Sequence, residues 1–300
     1  MAPVPSRAWM WSWSETMDSQ LRDQIPTFEK SGDGEQTVDL TNLSALTSTL
    51  GGIRTWAEMG AIALVAVLII GGTEILLRLL EVPHYIMPTP SQIIGALITD
   101  FPLIAPHIGV TLTELIVGFA IGASIGFVLA AIITQFPLVE KIVAPYILLL
   151  VTTPMIALVP LLILRLGFGL EPRIIAVALA SGPMVMINSA TGFRRTDLAK
   201  IALARSFGAS TLQIFLKIRI PMALPMVIVG LMIGSIFGLL TAVGAEMVGG
   251  SSGLGNRLAY YSSLIQMPQF FACILVLATI GISIYVLFFW IGKKWASWEA

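Results

Sequence analysis

Residues 108–133 read IGVTLTELIVGFAIGASIGFVLAAII. A bilayer's hydrocarbon core takes roughly 20 helical residues at about 1.5 Å each to cross, and this run exceeds that with one ionisable side chain, Glu114. In lipid every backbone polar group must be bonded within its own segment, so the run is read as a transmembrane α-helix. Five further stretches qualify: Met59–Leu80, Val139–Leu164, Ile174–Phe193, Pro221–Ala245 and Phe271–Gly292. The whole chain fits that reading, with 56% hydrophobic and only 11% charged residues against about a quarter charged in soluble domains. The expectation is an all-α integral membrane protein of about six transmembrane helices.

Within the opening run Gly118, Gly122 and Gly126 recur every fourth residue, as do Gly230, Gly234 and Gly238 in the fifth. That spacing puts each set on one helical face, where another backbone can approach closely. The third run carries Pro145, Pro154 and Pro160 and is expected to be kinked or broken; the fourth carries Pro183. Between the first two runs, residues 81–107 have no Lys or Arg and five prolines, which predicts an outer loop with short surface or re-entrant helices. Thirteen of the 17 basic residues fall on the side of the N-terminus, leaving Arg165, Arg173 and Arg257 opposite and Arg78 in the first run. Both termini are therefore expected in the cytoplasm. Residues 1–56 hold no continuous apolar segment and read as a cytoplasmic tail, largely disordered. In it Trp9, Trp11 and Trp13 are spaced by two and make no helical face, so an interfacial anchor and a plain stretch of tail both stay open.

One connection is too long for a turn. Residues 194–221 read RRTDLAKIALARSFGASTLQIFLKIRIP, with apolar residues at helical spacing on both sides of Gly208 and basic residues interleaved. Two short amphipathic helices hinged at Gly208 are predicted, closed by Pro221 in the first turn of the fifth span, where a proline sacrifices no hydrogen bond.

This loop resembles the signature of permease subunits of binding-protein-dependent ABC importers: Glu-Ala-Ala, three residues, Gly, nine residues, Ile, any residue, Leu, Pro. Here Ala202-Leu203-Ala204 is followed by Gly208, Ile218, Ile220 and Pro221 in register, with Ala202 in place of glutamate, Leu203 in place of alanine and Ile220 in place of leucine. Other stretches are similar to the nitrate/sulfonate/taurine/bicarbonate-type branch. They are Ile86-Met87-Pro88-Thr89-Pro90-Ser91, the run from Pro154 to Leu161, Ala204-Arg205-Ser206-Phe207-Gly208-Ala209-Ser210, Ala245-Glu246 and Gly253-Leu254-Gly255. The resemblance covers residues 83–292. It implies a type I importer permease fold in a bacterial inner membrane, with Ala202, Ala204, Arg205, Phe207, Gly208, Ala209, Ser210 and Pro221 in a coupling loop docked on an ATPase. It also implies a second permease copy, two ATPase subunits that use ATP and Mg, and a solute-binding protein outside. The solute would be small and polar: nitrate, a sulfonate such as taurine, bicarbonate or a pyrimidine-like compound. The domain reading is a tail 1–56, a permease domain 57–293 with coupling loop 194–220, and a tail 294–300.

Buried charge is costly in a membrane, about 2.5–3.5 kcal/mol at mid-bilayer, so ionisable residues near spans are candidates for the pathway or its gate. Glu114, Arg165 and Glu246 all fall toward the outer face on this topology. The resemblance makes the position of Glu114 commonly basic and that of Arg165 commonly aromatic, so both are altered here. Glu114 and Arg165 either pair across spans two and three or each reach separately to the interface. Glu74 and Arg78, four apart on one helical face, are expected to pair locally. No G-x-x-x-x-G-K-[ST] occurs, so the chain is not expected to hydrolyse ATP. The two histidines, His84 and His107, and the lone Cys273 make no metal or nucleophile pattern, and His107 beside Pro106 reads as an interfacial residue. No catalytic residue, metal or cofactor is expected in the chain, and its net charge of zero gives no reason for nucleic-acid binding. The competing reading is an ion-gradient-driven secondary transporter, which wants charges at mid-membrane and two repeated halves.

Overall fold

The structure is a computed structural model that describes residues 56–295. Apart from Trp56, Lys294 and Trp295, the expected tails 1–56 and 294–300, with Trp9, Trp11 and Trp13, lie outside the described residues. Those residues are all helical, with turns and no strand. Helix α1 is Trp56–Leu79, α2 Pro90–Gln135, α3 Pro137–Thr152, α4 Met155–Leu166 and α5 Leu170–Arg194. Then come α6 Leu198–Ser206, α7 Thr211–Ile214, a π turn Phe215–Arg219, α8 Ile220–Gly249, α9 Leu254–Ser263 and α10 Met267–Trp295. Among the described residues five helices are long and apolar enough to cross a membrane, or six when α3 and α4, bent by 96° at their junction, count as one broken span. The break falls at Thr153–Pro154, where Pro154 cannot donate the next helical hydrogen bond.

Helix α5 is the centre of the packing, held between the glycine faces of α2 and α8. A Cβ on Gly118 would stand 2.6 Å from the Ile174 carbonyl oxygen, and one on Gly122 or Gly126 would collide with the carbonyls of Ala178 or Gly182. From the other side, Gly230 and Gly234 meet Val185, and Gly238 meets Leu115 and Val177. Lipid tails are as apolar as side chains, so the attraction here is close van der Waals packing, which a missing Cβ makes available. Buried Met186, Ala190 and Phe193 of α5 continue this contact toward its C-terminal end, together with Ala130, Ile133, Ala223 and Val227.

Two connections differ from their sequence-based reading. The loop expected over 81–107 is short, because residues 90–107 form the first turns of the 46-residue α2, with Pro102 and Pro106 inside it. These prolines are four apart, so the two carbonyls they leave without donors, those of Ile98 and Pro102, lie on one face and the rest of the ladder is intact. The start of α2 is held by side chains: Gln92 accepts from the Thr89 N–H (3.1 Å), and Glu74 of α1 accepts from the Ser91 N–H (2.9 Å) and hydroxyl (2.7 Å). Glu74 also pairs with Arg78 at 2.6 Å. In the loop 194–220, only α6 is a separate short helix. The second expected helix is the beginning of the fifth span, running from Thr211 through the π turn into α8. The π turn takes up the proline: the Ile220 N–H reaches back to the Phe215 carbonyl just before Pro221, so helix continues through a residue that cannot donate.

Candidate functional site

Three places carry chemistry that packing does not require. The first is the elbow between α6 and α7. The Asp197 carboxylate caps α6 by accepting from the Ala199 N–H (2.8 Å), and Ser210 with Gln213 closes a capping box on α7. Between them Gly208 has φ +79, a left-handed turn that a side chain resists. Ile201 and Ile214, one on each side of Gly208, are buried. Outward it presents Leu198, Leu203, Leu212 and Phe207, the last 82% exposed, beside Lys200 and Arg205. Ala204, Phe207, Gly208 and Ala209 line an open groove of about 540 Å³. Of the residues expected at the coupling loop, Ala202 and Ser210 are also exposed and Pro221 lies beyond the π turn. An apolar cap ringed with basic groups on a connecting loop has the make-up of a protein-docking surface rather than of a solvated turn.

The second place is the break in the third span. A cavity of about 400 Å³ opens there, walled by Pro154, Met155, Ala180, Pro183 and Phe237, with the hydroxyl-bearing Thr152, Thr153 and Thr241 at its lining. Thr152 and Thr153 donate to the carbonyls of Leu148 and Leu149 (2.9 and 2.7 Å), which satisfies the end of α3. No charged side chain lines it.

The third place lies about 30 Å along α5 from the elbow, at one 1.5 Å rise for each residue between Arg173 and Arg194. Glu114 of α2 and Glu246 of α8 are both fully buried, and Arg173 at the start of α5 is 3% exposed. Arg173 lies 2.5 Å from a Glu114 oxygen and donates to the carbonyls of Gly169 (2.9 Å) and Ser252 (3.1 Å). Glu246 accepts from the Thr111 hydroxyl (2.7 Å) and the Gly255 N–H (2.6 Å), so it caps the first turn of α9 from another helix. Thr111 in turn accepts from the Leu254 N–H (2.9 Å). Beside them the Gly253 N–H donates to His107 Nδ1 (2.9 Å) and Arg257 Nε stands 2.7 Å from His107 Nε2.

Glu114 and Glu246 are thus brought together, and Arg165 is not among them: it is exposed in the last turn of α4, and the partner of Glu114 is Arg173. Sequence reasoning counted Arg173 as an outer-loop charge and His107 as an interfacial residue, and passed over Thr111. The one signal that could have found Arg173 is its place directly before an apolar run, on the same side of the membrane as Glu114.

Comparison with known proteins gives the architecture its family. Residues 122–297 match the family described as "Binding-protein-dependent transport system inner membrane component". A probable ABC transporter permease protein of Haemophilus influenzae is 32% identical over 209 residues, 70% of this chain and 85% of that protein. A putative aliphatic sulfonates transport permease protein, SsuC of Bacillus subtilis, is 29% identical over 199 residues, 65% of this chain and 72% of that one. A chain of the inward-facing MetNI methionine ABC transporter shares the fold at a TM-score of 0.52 and 20% identity, over 62% of this chain and 91% of that chain. With an all-helical core and these matches, the chain belongs to the inner-membrane components of binding-protein-dependent transport systems and is the permease subunit of an ABC importer.

Proposed function

We propose that the elbow formed by α6, Gly208 and α7 is the surface on which a separate ATPase acts, and that the cavity at the break between α3 and α4 belongs to the solute's path. The observation that carries the first part is the exposed set Leu198, Leu203, Phe207 and Leu212 with Lys200 and Arg205, standing on a loop whose Ile201 and Ile214 are buried. Movement of the elbow passes directly to α8, because α7, the π turn and α8 are one helical rod. It passes to α5 through Phe215, whose ring lies 5.1 Å from that of buried Phe193. Such a lever fits rigid-body exchange between inward-open and outward-open states.

In this reading two copies of the chain enclose the path, two ATPase subunits bind ATP and Mg in the cytoplasm, and an external binding protein delivers the solute. Both termini of the chain lie in the cytoplasm. The cavity's hydroxyls and apolar walls suit weak contact with a small polar solute, which must leave as readily as it enters. The sulfonates named for the Bacillus subtilis relative fall in that class, as do nitrate, bicarbonate and pyrimidine-like compounds.

The test is purification from the native membrane in mild detergent, of the chain and of a Gly208→Trp variant. The expected result is an ATPase subunit that copurifies with the unaltered chain, hydrolyses ATP, and is lost from the variant while the variant itself remains folded. An ATPase bound equally well by both would show that coupling does not run through the elbow.

A further inference from the structure

The buried cluster at the far end of α5 has an imbalance that packing cannot resolve. Two carboxyl groups, those of Glu114 and Glu246, are fully buried and meet at one turn of α2, because Glu246 accepts from the hydroxyl of Thr111, three residues before Glu114. Among the described residues the one cation at the pair is Arg173. Glu246 is served as a carboxylate, by the Thr111 hydroxyl on one oxygen and the Gly255 N–H on the other. Glu114 is not: beyond its ion contact with Arg173, its two oxygens have no hydrogen-bond donor. Two ionised carboxylates cannot share so small a buried volume, whereas one acid and one carboxylate can share a proton.

We propose that Glu114 is a proton-binding site: it holds one proton, donated to Glu246, and this proton fastens α9 and the Gly250–Gly255 turn to α2, α5 and α8. With the proton present every group is matched. The Glu114 O–H donates to Glu246, its other oxygen faces the Arg173 guanidinium, and the cluster carries one positive and one negative charge. Without it a second negative charge stands against the carboxylate that caps α9, and the seam that Glu246 holds between α8 and α9 weakens. The other ionisable groups on the surrounding elements do not compensate. His107 of α2 is engaged by Gly253 and Arg257, and neither these nor Asp100 of α2, Tyr261 of α9 or Cys273 of α10 hydrogen bonds to Glu114.

The sign of the linkage follows. The fastened state binds the proton more tightly than a state in which the carboxyls part and are hydrated, so acid favours the fastened state and rising pH favours the parted one. One linked proton limits the change in their ratio to about tenfold per pH unit. This reading is independent of the solute and of the ATPase: loss of ATPase binding in the Gly208→Trp variant neither supports nor weakens it.

The experiment is infrared spectroscopy of the full chain in lipid nanodiscs, with solvent exchanged between light and heavy water. At neutral pH the unaltered chain should show the carbonyl stretch of a protonated carboxyl that Glu114→Gln removes. Glu246→Gln should remove it too, because Glu114 then ionises beside Arg173. Glutamine mimics the protonated acid, so Glu114→Gln should keep its thermal stability at neutral pH and lose the fall that the unaltered chain shows on the alkaline side. Carbon-13 labelling of glutamate in the unaltered chain needs no variant and should show one protonated carboxyl carbon at neutral pH. Absence of a Glu114-dependent protonated band, or a labelled chain in which every glutamate is ionised, overturns the proposal.

Discussion

At the scale of single residues, the Gly253-Leu254-Gly255 motif is visible in the chain, but its reason is not. Gly253 has φ +105, and a Cβ there would run into the Glu246 carboxylate; a Cβ on Gly255 would meet the Val243 carbonyl. The glycines let the backbone come close enough to Glu246 for the Gly255 N–H to reach it. Gly253→Ala should therefore lower the thermal stability of the purified chain, with about 1–3 kcal/mol from the positive-φ extended backbone alone. Gly169→Ala is the control: its φ of 179 is extended and no atom lies within 4 Å, so its melting temperature should match that of the unaltered chain. A Gly253→Ala protein as stable as the control would mean that the turn does not need its glycine. Arg173 was illegible for a related reason. A charge next to an apolar run reads as an interfacial residue, and only the fold puts Glu114 and the Ser252 carbonyl against it.

At the scale of elements, the four-residue glycine spacing was readable in both runs, because period is a local property. The partner was not: both stripes face α5, one from each side. Gly122→Ile should separate α2 from α5 and abolish recovery of folded protein in detergent, measured by size-exclusion chromatography. Gly109→Ala in the same helix, with open space around it, should leave recovery unchanged. Equal recovery of both would mean that close approach of α2 to α5 is dispensable. The helix boundaries that sequence reasoning missed share one cause. Proline was taken to end or start a helix, yet Pro102 and Pro106 sit inside α2 and Pro221 follows a π turn within a continuous rod. Neighbouring helices supply packing that outweighs a lost hydrogen bond, which no local rule contains. Asp197, by contrast, caps α6 by a local rule, and Asp197→Ala should cost that helix about 1 kcal/mol, seen as faster amide exchange over 198–206.

At the scale of the whole molecule, the distribution of Lys and Arg predicts the cytoplasmic face, and labelling can test it. Cys273 is fully buried and should stay silent, so single introduced cysteines can be read cleanly. In cells that express the chain without an ATPase, Tyr260→Cys should react with a membrane-impermeant thiol reagent from outside, and Phe207→Cys only in inverted vesicles. Both positions are exposed, and they lie toward opposite ends of the molecule. The reverse pattern would invert the topology and separate the elbow from any cytoplasmic ATPase.

What the sequence determined by itself is whatever depends on runs and spacing: the membrane as solvent, about six crossings, a broken third span, the long basic loop and the family that its motifs resemble. Each follows from the match of a contiguous segment to bilayer thickness, helical period or a fixed pattern. What only the tertiary structure decided is who faces whom. The carboxyls of Glu114 and Glu246, the guanidinium of Arg173 and the first turn of α9 come from four helices, with α2, α5 and α8 far apart in the chain, and the meeting is imposed by α5 lying between two glycine faces. Burial then turns an ordinary glutamate into a group that must find a proton or a cation, and no reading of one segment at a time can supply that requirement.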